Sequence, residues 1–511
     1  MSEARPRLLV LAPLGLEALA LGPTRAQVGP ATLVVRRLGM GLAKAGASAK
    51  RLADQAGQAD AVAVAGLGGG LAAGLSPGDL VVADRLVDAE GKEVARLASA
   101  PLLAGELRRA GLRTRTGTVA SADHIVTGPE RNRLAGLGAL AVDMESTAVA
   151  PEAMGTKRPF AVLRAISDTA QSELFSPAGL VGIWKALRTL RASRPALACW
   201  AAATGAREVL LAEPRSFCAG VERAIDTVER AIERYGAPVY VRRQIVHNSH
   251  VVSALEAAGA IFVEELSEVP DGARVVFSAH GVGTAVREEA ERRAMFAIDA
   301  TCPLVSKVHT EARRFASAGR QVVLVGHAGH DEVEGTLGSI PGSVLVSTPA
   351  DVEALDLDRS APTAVVTQTT LATDEVKVVL DALDARFTDL AKPSASDICY
   401  ASQNRQEAVR ALAPDCDLVI VVGSANSSNS NRLAEVARRC GTDAYLVEDS
   451  SAVRLTWLAG KRRIGITAGA SAPERLVSEL VACLSGLGPT EVSARVGANE
   501  HVNFPLPLEV R

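Results

Sequence analysis

The sequence predicts an α/β protein of two parts, and three observations support this. Short apolar runs rich in Val, Leu and Ile alternate with helical patterns along all 511 residues, which is typical of mostly parallel sheets covered by helices. Hydrophobic residues make up 48% and charged residues 22%, the composition of a folded globular chain. The chain is also too long for a single hydrophobic core, so more than one domain is expected.

The two parts differ in charge and in chemistry. Residues 1–205 carry more Lys and Arg than Asp and Glu, whereas the remainder is net acidic and holds most of the cysteines and histidines. A new strand, REVLLAEP, begins near residue 207. We therefore expect domains over 1–205 and 206–511, with the second divided into three small lobes. Neither part is basic enough to predict a nucleic-acid partner.

The N-terminal run and the cysteine usage predict the compartment. The run RLLVLAPLGLEALAL is interrupted by Glu17 and lacks a small-residue cleavage site, which favours a first strand over a signal peptide. Seven cysteines without a C-x-x-C pair argue against a secreted disulfide framework. No window reaches the ~18–20 apolar residues of a membrane span. A cytoplasmic protein without a membrane span is expected.

In the second part, a strand is followed three times by a cysteine and then by a helical pattern. Cys218, Cys302 and Cys399 occupy these junctions. Because ligands bind beyond the carboxyl ends of parallel strands, we expect the three junctions to converge. Three thiolates at one centre are suited to an iron–sulfur cluster. The remaining cysteines lack this context and are expected to be structural: Cys199, Cys416, Cys440 and Cys483.

Other strand-to-loop transitions carry histidines and small polar residues. IVHNSH, FSAHGV and VGHAGHDEVEGT place histidines after apolar runs, and GSANSSNSN and TAGAS supply hydroxyl and amide donors. Such loops present hydrogen-bond donors to phosphate oxygens. The residues themselves thus predict a three-cysteine cluster beside a diphosphate-binding site, with Glu332 as a source of protons.

The motifs FCAGV, VHN, SAHGV, DATCPLV, GHDEVEGT, TQTTL, DICYA, GSANSSNSNRL and TAGASAPE resemble, in this order, those of 4-hydroxy-3-methylbut-2-enyl diphosphate reductases. The resemblance spans about 207–511 and implies a three-lobed α/β trefoil around one central [4Fe-4S] cluster with three Cys ligands. It implies reductive removal of the hydroxyl from an allylic diphosphate, with ferredoxin or flavodoxin as electron donor. The products would be isopentenyl and dimethylallyl diphosphate, the last step of the non-mevalonate pathway.

The same resemblance assigns residues to roles. The cluster ligands would be Cys218, Cys302 and Cys399, and the catalytic residues Glu332, His330 and Thr369. The substrate-binding residues would be His247, His280, His330, Thr369, Ser427, Ser428, Asn429 and Ser471.

Two alternatives remain for this second part. One is a three-cysteine [4Fe-4S] dehydratase of the quinolinate-synthase type, which should show basic side chains in its site loops. The other is a non-catalytic redox sensor that binds a cluster without turnover. An assay with the allylic diphosphate discriminates between them.

The first part carries a glycine-rich turn, AGLGGG, and two carboxylates at strand ends, Glu145 and Asp168. It resembles the nucleoside phosphorylase and methylthioadenosine/adenosylhomocysteine nucleosidase superfamily, which implies roles for Met144 and Glu145 at the ribose and for Asp168 at the purine. Glu17 is what remains of the early glutamate motif. Two hypotheses stay open: cleavage of an adenosine-like nucleoside, or an idle binding or oligomerisation domain.

Overall fold

The computed structural model describes residues 5–171 and 177–511. The chain forms two compact units. The N-terminal unit comprises residues 1–209 with 449–464 and 478–493, and the C-terminal unit comprises 210–448, 465–477 and 494–511. The domain boundary at about 205 stays a prediction.

The N-terminal unit is built on one large sheet flanked by helices, as an α/β domain requires. Its strands are β1 (Arg7–Ala12), β2 (Arg25–Val28), β3 (Ala31–Arg37), β4 (Ala61–Gly70), β5 (Leu80–Val87), β6 (Glu93–Arg96), β7 (Thr114–Ser121), β8 (Ala139–Asp143) and β9 (Phe160–Asp168). Its helices are α1 (Gly15–Leu21), α2 (Leu42–Gly57), α3 (Ala100–Arg109), α4 (Gly128–Gly136), α5 (Ser146–Gly155), α6 (Pro177–Ala192) and α7 (Arg194–Ala202).

This sheet departs from the mostly parallel one that the apolar runs predict. Within the described residues its order is β2-β3-β1-β4-β8-β7-β5-β6, with β9 paired to both β4 and β5. Strand β4 is parallel to β1 and β9 but antiparallel to β8, and β5 is antiparallel to β6 and β9. The sheet is therefore mixed, because strand direction depends on long-range pairing that apolar runs do not encode.

The end of the first part also differs from expectation. The pattern PAGLVGIWKALRTLRASRPALACWAAATG predicts one helix, whereas the structure has α6 and α7 separated at Ser193. Pro195 stands in the first turn of α7, where a missing N–H is tolerated. Inside a continuous helix the same proline would remove a hydrogen bond and clash with the preceding turn, so the helix ends before it.

The remaining elements run from 207 to the C-terminus. The strands are β10 (Arg207–Ala212), β11 (Val239–Arg242), β12 (Ala260–Val263), β13 (Arg274–Phe277), β14 (Phe296–Asp299), β15 (Gln321–Val325), β16 (Val344–Val346), β17 (Thr363–Thr367), β18 (Leu390–Ala391), β19 (Leu418–Val422), β20 (Ala444–Val447), β21 (Arg463–Ala468) and β22 (Thr490–Arg495). The helices are α8 (Ala219–Tyr235), α9 (Ser249–Ala258), α10 (Thr284–Arg292), α11 (Pro303–Ser317), α12 (Asp331–Leu337), α13 (Pro349–Ala354), α14 (Thr373–Arg386), α15 (Tyr400–Leu412), α16 (Ser428–Arg439), α17 (Leu455–Leu458) and α18 (Glu474–Ser485).

Three sheets organise these elements into three α/β lobes. In the described part of the chain, one sheet has the order β12-β11-β13-β14 and a second has the order β16-β15-β17-β18, and both are parallel. The third contains β10 and β19 to β22. Val-rich strands such as β19, buried along its whole length, form the lobe cores. The lobed α/β architecture agrees with the fold class that the sequence predicts.

A membrane-spanning helix must be both long and apolar. Within the described ranges, no helix has the required length together with the required apolar composition.

A buried arginine on α15 ties two segments of the C-terminal unit together. The guanidinium of Arg405, which is fully buried, donates to the carbonyl oxygens of Ser216 (2.8 Å) and Phe217 (3.1 Å) in the segment before α8. It also pairs with Glu500 at 3.0 Å. The buried guanidinium thus has hydrogen-bond and ion-pair partners. Removing the arginine would leave two backbone carbonyl groups without a hydrogen-bond donor and the Glu500 carboxylate without its ion-pair partner.

We expect Arg405→Ala to destabilise the C-terminal unit by about 3–5 kcal/mol, the usual effect of breaking a buried ion pair. Arg410→Ala on the same helix is the matched control, because its partner Asp374 is exposed and such pairs contribute about 0–1 kcal/mol. Thermal unfolding followed by circular dichroism measures both. Equal midpoints for the two variants would contradict the structural role of Arg405.

Candidate functional site

A cavity of about 100 Å³ lies in the C-terminal unit, at the loops that follow the strands. The structure brings together around it all the residues that the sequence analysis selects in this part. They are Cys218, Cys302, Cys399, His247, His280, His330, Glu332, Thr369, Ser427, Ser428, Asn429 and Ser471. Convergence of the loops is thus observed, while the role of each residue stays a prediction.

The cysteines occupy equivalent positions in the structure. Each is the N-cap residue of a helix: Cys218 of α8, Cys302 of α11 and Cys399 of α15. Each sulfur therefore belongs to a residue at a helix N-terminus, and the backbone N–H of Ser402 donates to Cys399 Sγ at 3.3 Å. Such donors and the helix dipole stabilise a thiolate. All seven cysteines of the chain are described, and all are free thiols.

The chemistry of this donor set fits a cationic metal cluster. Burial raises the pKa of Cys302 to about 12 and that of Cys399 to about 11, and the nearby Cys218 thiol adds to both shifts. Thiols so enclosed ionise only when positive charge lies between them. A Cβ atom at Gly220 would stand 2.6 Å from the Cys302 sulfur and 3.9 Å from the Cys218 sulfur. Only glycine therefore leaves the sulfur atoms room, and the thiols fit an iron–sulfur cluster.

Three histidine rings form a group on another side of the cavity. The rings of His247 and His280 stack with centroids 4.0 Å apart, and His330 meets His247 edge-on at 5.1 Å. Burial lowers the pKa of His330 to about 4, and the neighbouring His247 contributes. Burial likewise holds the pKa of His280 well below its usual range. The rings are therefore neutral in the absence of a ligand, and an anion among them would raise their pKa values.

Small polar side chains line the next part of the wall. Ser427 caps α16 by accepting from the backbone N–H of Ser430, and Ser471 lies close by, 3.4 Å from the Ser427 hydroxyl. Among the described residues, the buried amide of Asn429 has no partner for either its nitrogen or its oxygen. A buried amide without a partner costs about 1–3 kcal/mol, which a bound polar ligand would recover.

Glu332 stands at the start of α12 and faces Thr369. The backbone N–H of Thr369 donates to Oε1 of Glu332 at 2.7 Å, and the threonine hydroxyl donates to Oε2 at 3.1 Å. Burial nevertheless raises the pKa of Glu332 to about 7, because these hydrogen bonds oppose only part of the desolvation. A carboxyl group with such a pKa can hold a proton near neutral pH and release it.

Two residues next to the histidines escape the sequence analysis. Asp331 lies 3.8 Å from His280 and 3.9 Å from His247, and it forms an ion pair with Arg243. Its place in the motif GHDEVEGT, between a selected histidine and a selected glutamate, was the available indication. Arg243 follows β11 without any motif, so only the fold reveals it.

The N-terminal unit has its own cavity, of about 630 Å³. Its lining includes all the candidates from the first part of the sequence: Glu17, Met144, Glu145 and Asp168. The glycine-rich turn contributes Gly68 and Gly69. The volume is within the range of small-molecule sites.

A fully buried arginine organises one wall of this cavity. Arg164 lies 2.7 Å from Asp143 and 3.6 Å from Glu145. Burial raises the pKa of Glu145 to about 7, although Arg164 opposes the rise. Glu17 accepts from the backbone N–H of Leu67 at 2.7 Å, and burial also raises its pKa. Glu145 can thus exchange a proton near neutral pH.

Asp168, the last candidate residue of the N-terminal unit, is part of an ion pair. Asp168 forms a buried ion pair with Arg131 of α4, and the Ser167 hydroxyl donates to its other oxygen at 2.6 Å. Neither Arg131 nor Arg164 is predicted as a site residue from the sequence. Their partners lie in distant strands, so no local motif marks them.

The geometry defines a class: an α/β protein with a buried thiol cluster beside a cavity for a polar ligand. The chain belongs to the LytB protein family, whose model matches residues 209–485. The Phosphorylase superfamily model matches residues 24–177, in agreement with the phosphorylase-like domain that the sequence predicts.

The chain is also similar to individual proteins and to a solved structure. The chain is 58% identical over 301 residues to the 4-hydroxy-3-methylbut-2-enyl diphosphate reductase of Bordetella pertussis, covering 59% of this chain and 93% of that protein. It is 54% identical over 303 residues to the reductase of the same name from Burkholderia pseudomallei, covering 59% and 97%. The structure of the E-1-hydroxy-2-methyl-but-2-enyl-4-diphosphate reductase from Plasmodium falciparum matches with 34% identity and a TM-score of 0.58, covering 60% of this chain and 97% of that one.

Proposed function

We propose that the C-terminal unit is a 4-hydroxy-3-methylbut-2-enyl diphosphate reductase. It takes up two electrons and two protons, removes the allylic hydroxyl as water, and yields isopentenyl and dimethylallyl diphosphate. The observation that carries the proposal is the meeting of three thiols, three histidines and Glu332 in one cavity. Extensive identity to named reductases supports it.

The thiols of Cys218, Cys302 and Cys399 would hold one [4Fe-4S] cluster. When bound, such a cluster supplies electrons and a Lewis-acidic iron that has no protein ligand. The helix N-termini behind the cysteines stabilise the thiolates, and Gly220 leaves space beside two of them. A ferredoxin or a flavodoxin is the expected electron donor.

The polar wall of the cavity would bind the diphosphate. His247, His280 and the loop at the start of α16 present ring N–H, hydroxyl and amide donors. The unpaired amide of Asn429 gains hydrogen-bond partners when an anion enters. Because the histidines are neutral beforehand, diphosphate binding draws protons from solution.

Glu332 and Thr369 would deliver protons to the reacting carbon and oxygen. The threonine hydroxyl lies within hydrogen-bond distance of the carboxyl group, so both stand on the cavity wall as one unit. His330 lies beside them and caps α12. Enclosure of the carboxyl group keeps water away and maintains its raised pKa.

The test is a reductant-driven assay with (E)-4-hydroxy-3-methylbut-2-enyl diphosphate after anaerobic cluster reconstitution. Cys302→Ser should abolish both the iron–sulfur absorption and turnover, since three thiolates are required. Cys440→Ser, outside the cavity, is the matched control and should retain both. A cluster-loaded protein that never converts the substrate favours the redox sensor, and turnover without a cluster refutes the proposal.

Turnover should fall as the pH rises past about 7, because Glu332 loses the proton that it donates. Glu332→Gln should lower kcat by roughly 10²–10⁴-fold and remove this pH dependence. A pH profile of kcat measures both effects. The exposed Glu353, substituted by Gln, should leave the profile as it is; an unchanged profile for Glu332→Gln would exclude Glu332 as the proton donor.

We further propose that the N-terminal cavity binds and cleaves an adenosine-like nucleoside. Its size and the position of Glu145, Met144 and Asp168 on its wall favour this function. Glu145 would accept hydrogen bonds from the ribose hydroxyls. When no nucleoside is bound, the Asp168 carboxylate pairs with Arg131. In the nucleoside complex Asp168, protonated from solution, would pass its proton to the departing purine while water takes the place of the purine at the ribose carbon.

Adenine release from adenosyl nucleosides tests this second function. Asp168→Asn should lower the rate by roughly 10²–10⁴-fold, because the amide cannot supply the proton. Asp123→Asn, an exposed carboxylate in the same unit, is the control and should keep the rate. If the parent protein releases adenine from no adenosyl nucleoside, the domain is an idle binding or oligomerisation domain instead.

A further inference from the structure

Two histidines at one end of the C-terminal cavity share an acidic neighbour, Asp331. Nε2 of His247 and Nδ1 of His280 lie 3.9 Å and 3.8 Å from the same oxygen, Oδ2 of Asp331. These separations are too long for hydrogen bonds. Yet the three ligand atoms all lie within 4.8 Å of one another. The three ligand atoms therefore lie around one small space, and neither histidine is hydrogen-bonded to the aspartate.

The orientation of the Asp331 carboxylate is fixed by its ion pair with Arg243. Arg243 pairs with Oδ1 of this aspartate, which leaves Oδ2 directed at the two histidines. The three side chains are at most 17% exposed. Among the described residues, Nε2 of His247 is buried and has no hydrogen-bond partner. A buried ring nitrogen without a partner is costly, and a ligand between the three groups would satisfy it.

The local charge also favours a cation. Arg243 pairs with the carboxylates of Asp331, Glu334 and Glu265, and Arg242 also pairs with Glu265. Three carboxylates thus face two guanidinium groups, which leaves one negative charge in excess. An excess of negative charge beside a diphosphate site opposes anion binding, whereas it attracts a metal ion. Burial keeps both imidazole rings unprotonated, as metal ligation requires.

We propose that His247, His280 and Asp331 form a site for a divalent cation of the zinc type, distinct from the thiol cluster. Two imidazole nitrogens and one carboxylate oxygen are ligands that zinc(II) and similar ions prefer. Zinc–ligand distances of about 2.0–2.2 Å place neighbouring ligand atoms roughly 3.3–3.5 Å apart. The two histidine–aspartate separations would therefore close by a few tenths of an ångström, and the two imidazole nitrogens would approach each other from a separation of at most 4.8 Å. Water completes the coordination from the cavity side.

The cation and a diphosphate exclude each other, and this second statement rests on the proposed reductase function. Both ligands use the same imidazole nitrogens, the cation through lone pairs and the diphosphate through N–H groups. A bound cation therefore acts as an inhibitor that competes with the substrate.

Zinc titration of the cluster-loaded protein by calorimetry, under anaerobic conditions, tests the site while the three cavity thiols are occupied. We expect Asp331→Asn to weaken zinc binding by at least about tenfold, because it removes the carboxylate ligand. Arg243→Gln should weaken it by roughly 10–100-fold, because Arg243 holds Asp331 with Oδ2 directed at the histidines. Glu334→Gln is the matched control: it also removes a partner of Arg243 but supplies no ligand atom, and zinc binding should persist.

Circular dichroism spectra and thermal midpoints that match those of the parent protein separate loss of ligation from loss of structure, and iron content verifies that each variant keeps its cluster. Zinc binding that is unchanged in Asp331→Asn would overturn the site. Inorganic diphosphate then tests the exclusion. After correction for the zinc that this anion chelates in solution, measured in a titration without protein, it should still weaken zinc binding to the protein; failure to do so overturns the exclusion. Titration of inorganic diphosphate without zinc reports separately on the proposed function, since it measures whether the histidine wall binds this anion at all.

Discussion

Enclosing three thiols in one small cavity is the constraint on which the rest of the C-terminal unit depends. Burial alone would keep each sulfur protonated, because a thiolate loses far more solvation than it regains from nearby backbone N–H groups. The fold offsets part of this cost because each of the three cysteines is the N-cap residue of a helix. It also leaves the side-chain-free Gly220 where the sulfur atoms approach. The remaining charge balance requires a cationic group between the thiols, so the binding site is complete only with its cofactor.

The histidine-lined wall of the same cavity has the opposite requirement, because its proposed ligand is an anion. It carries no lysine among its lining residues, and its histidines are neutral when no ligand is bound. In the proposed function, affinity for the diphosphate would therefore come from hydrogen-bond donors and from protons taken up on binding, instead of from fixed charge. A wall of this kind avoids the desolvation cost of permanently buried cations.

Much of this arrangement is predictable from local sequence. The junctions at Cys218, Cys302 and Cys399 share a strand–cysteine–helix pattern, and parallel strands bring such junctions to one edge. By contrast, Arg243, Arg131 and Arg164 act through partners far away in the chain, and no motif precedes them. The mixed N-terminal sheet and the break at Ser193 were missed for related reasons: strand direction depends on non-local pairing, and one proline outweighs an otherwise continuous helical pattern.

The order of the three cysteines along the chain has a consequence for biosynthesis. At about 5–20 residues per second, Cys399 leaves the ribosome roughly 10–40 s after Cys218. During that interval the first thiols have no complete partner set. With the proposed ligand set, iron and sulfide could be inserted stably only after Cys399 has been synthesised, and a newly made chain would first pass through a cluster-free form whose cysteines are open to oxidation.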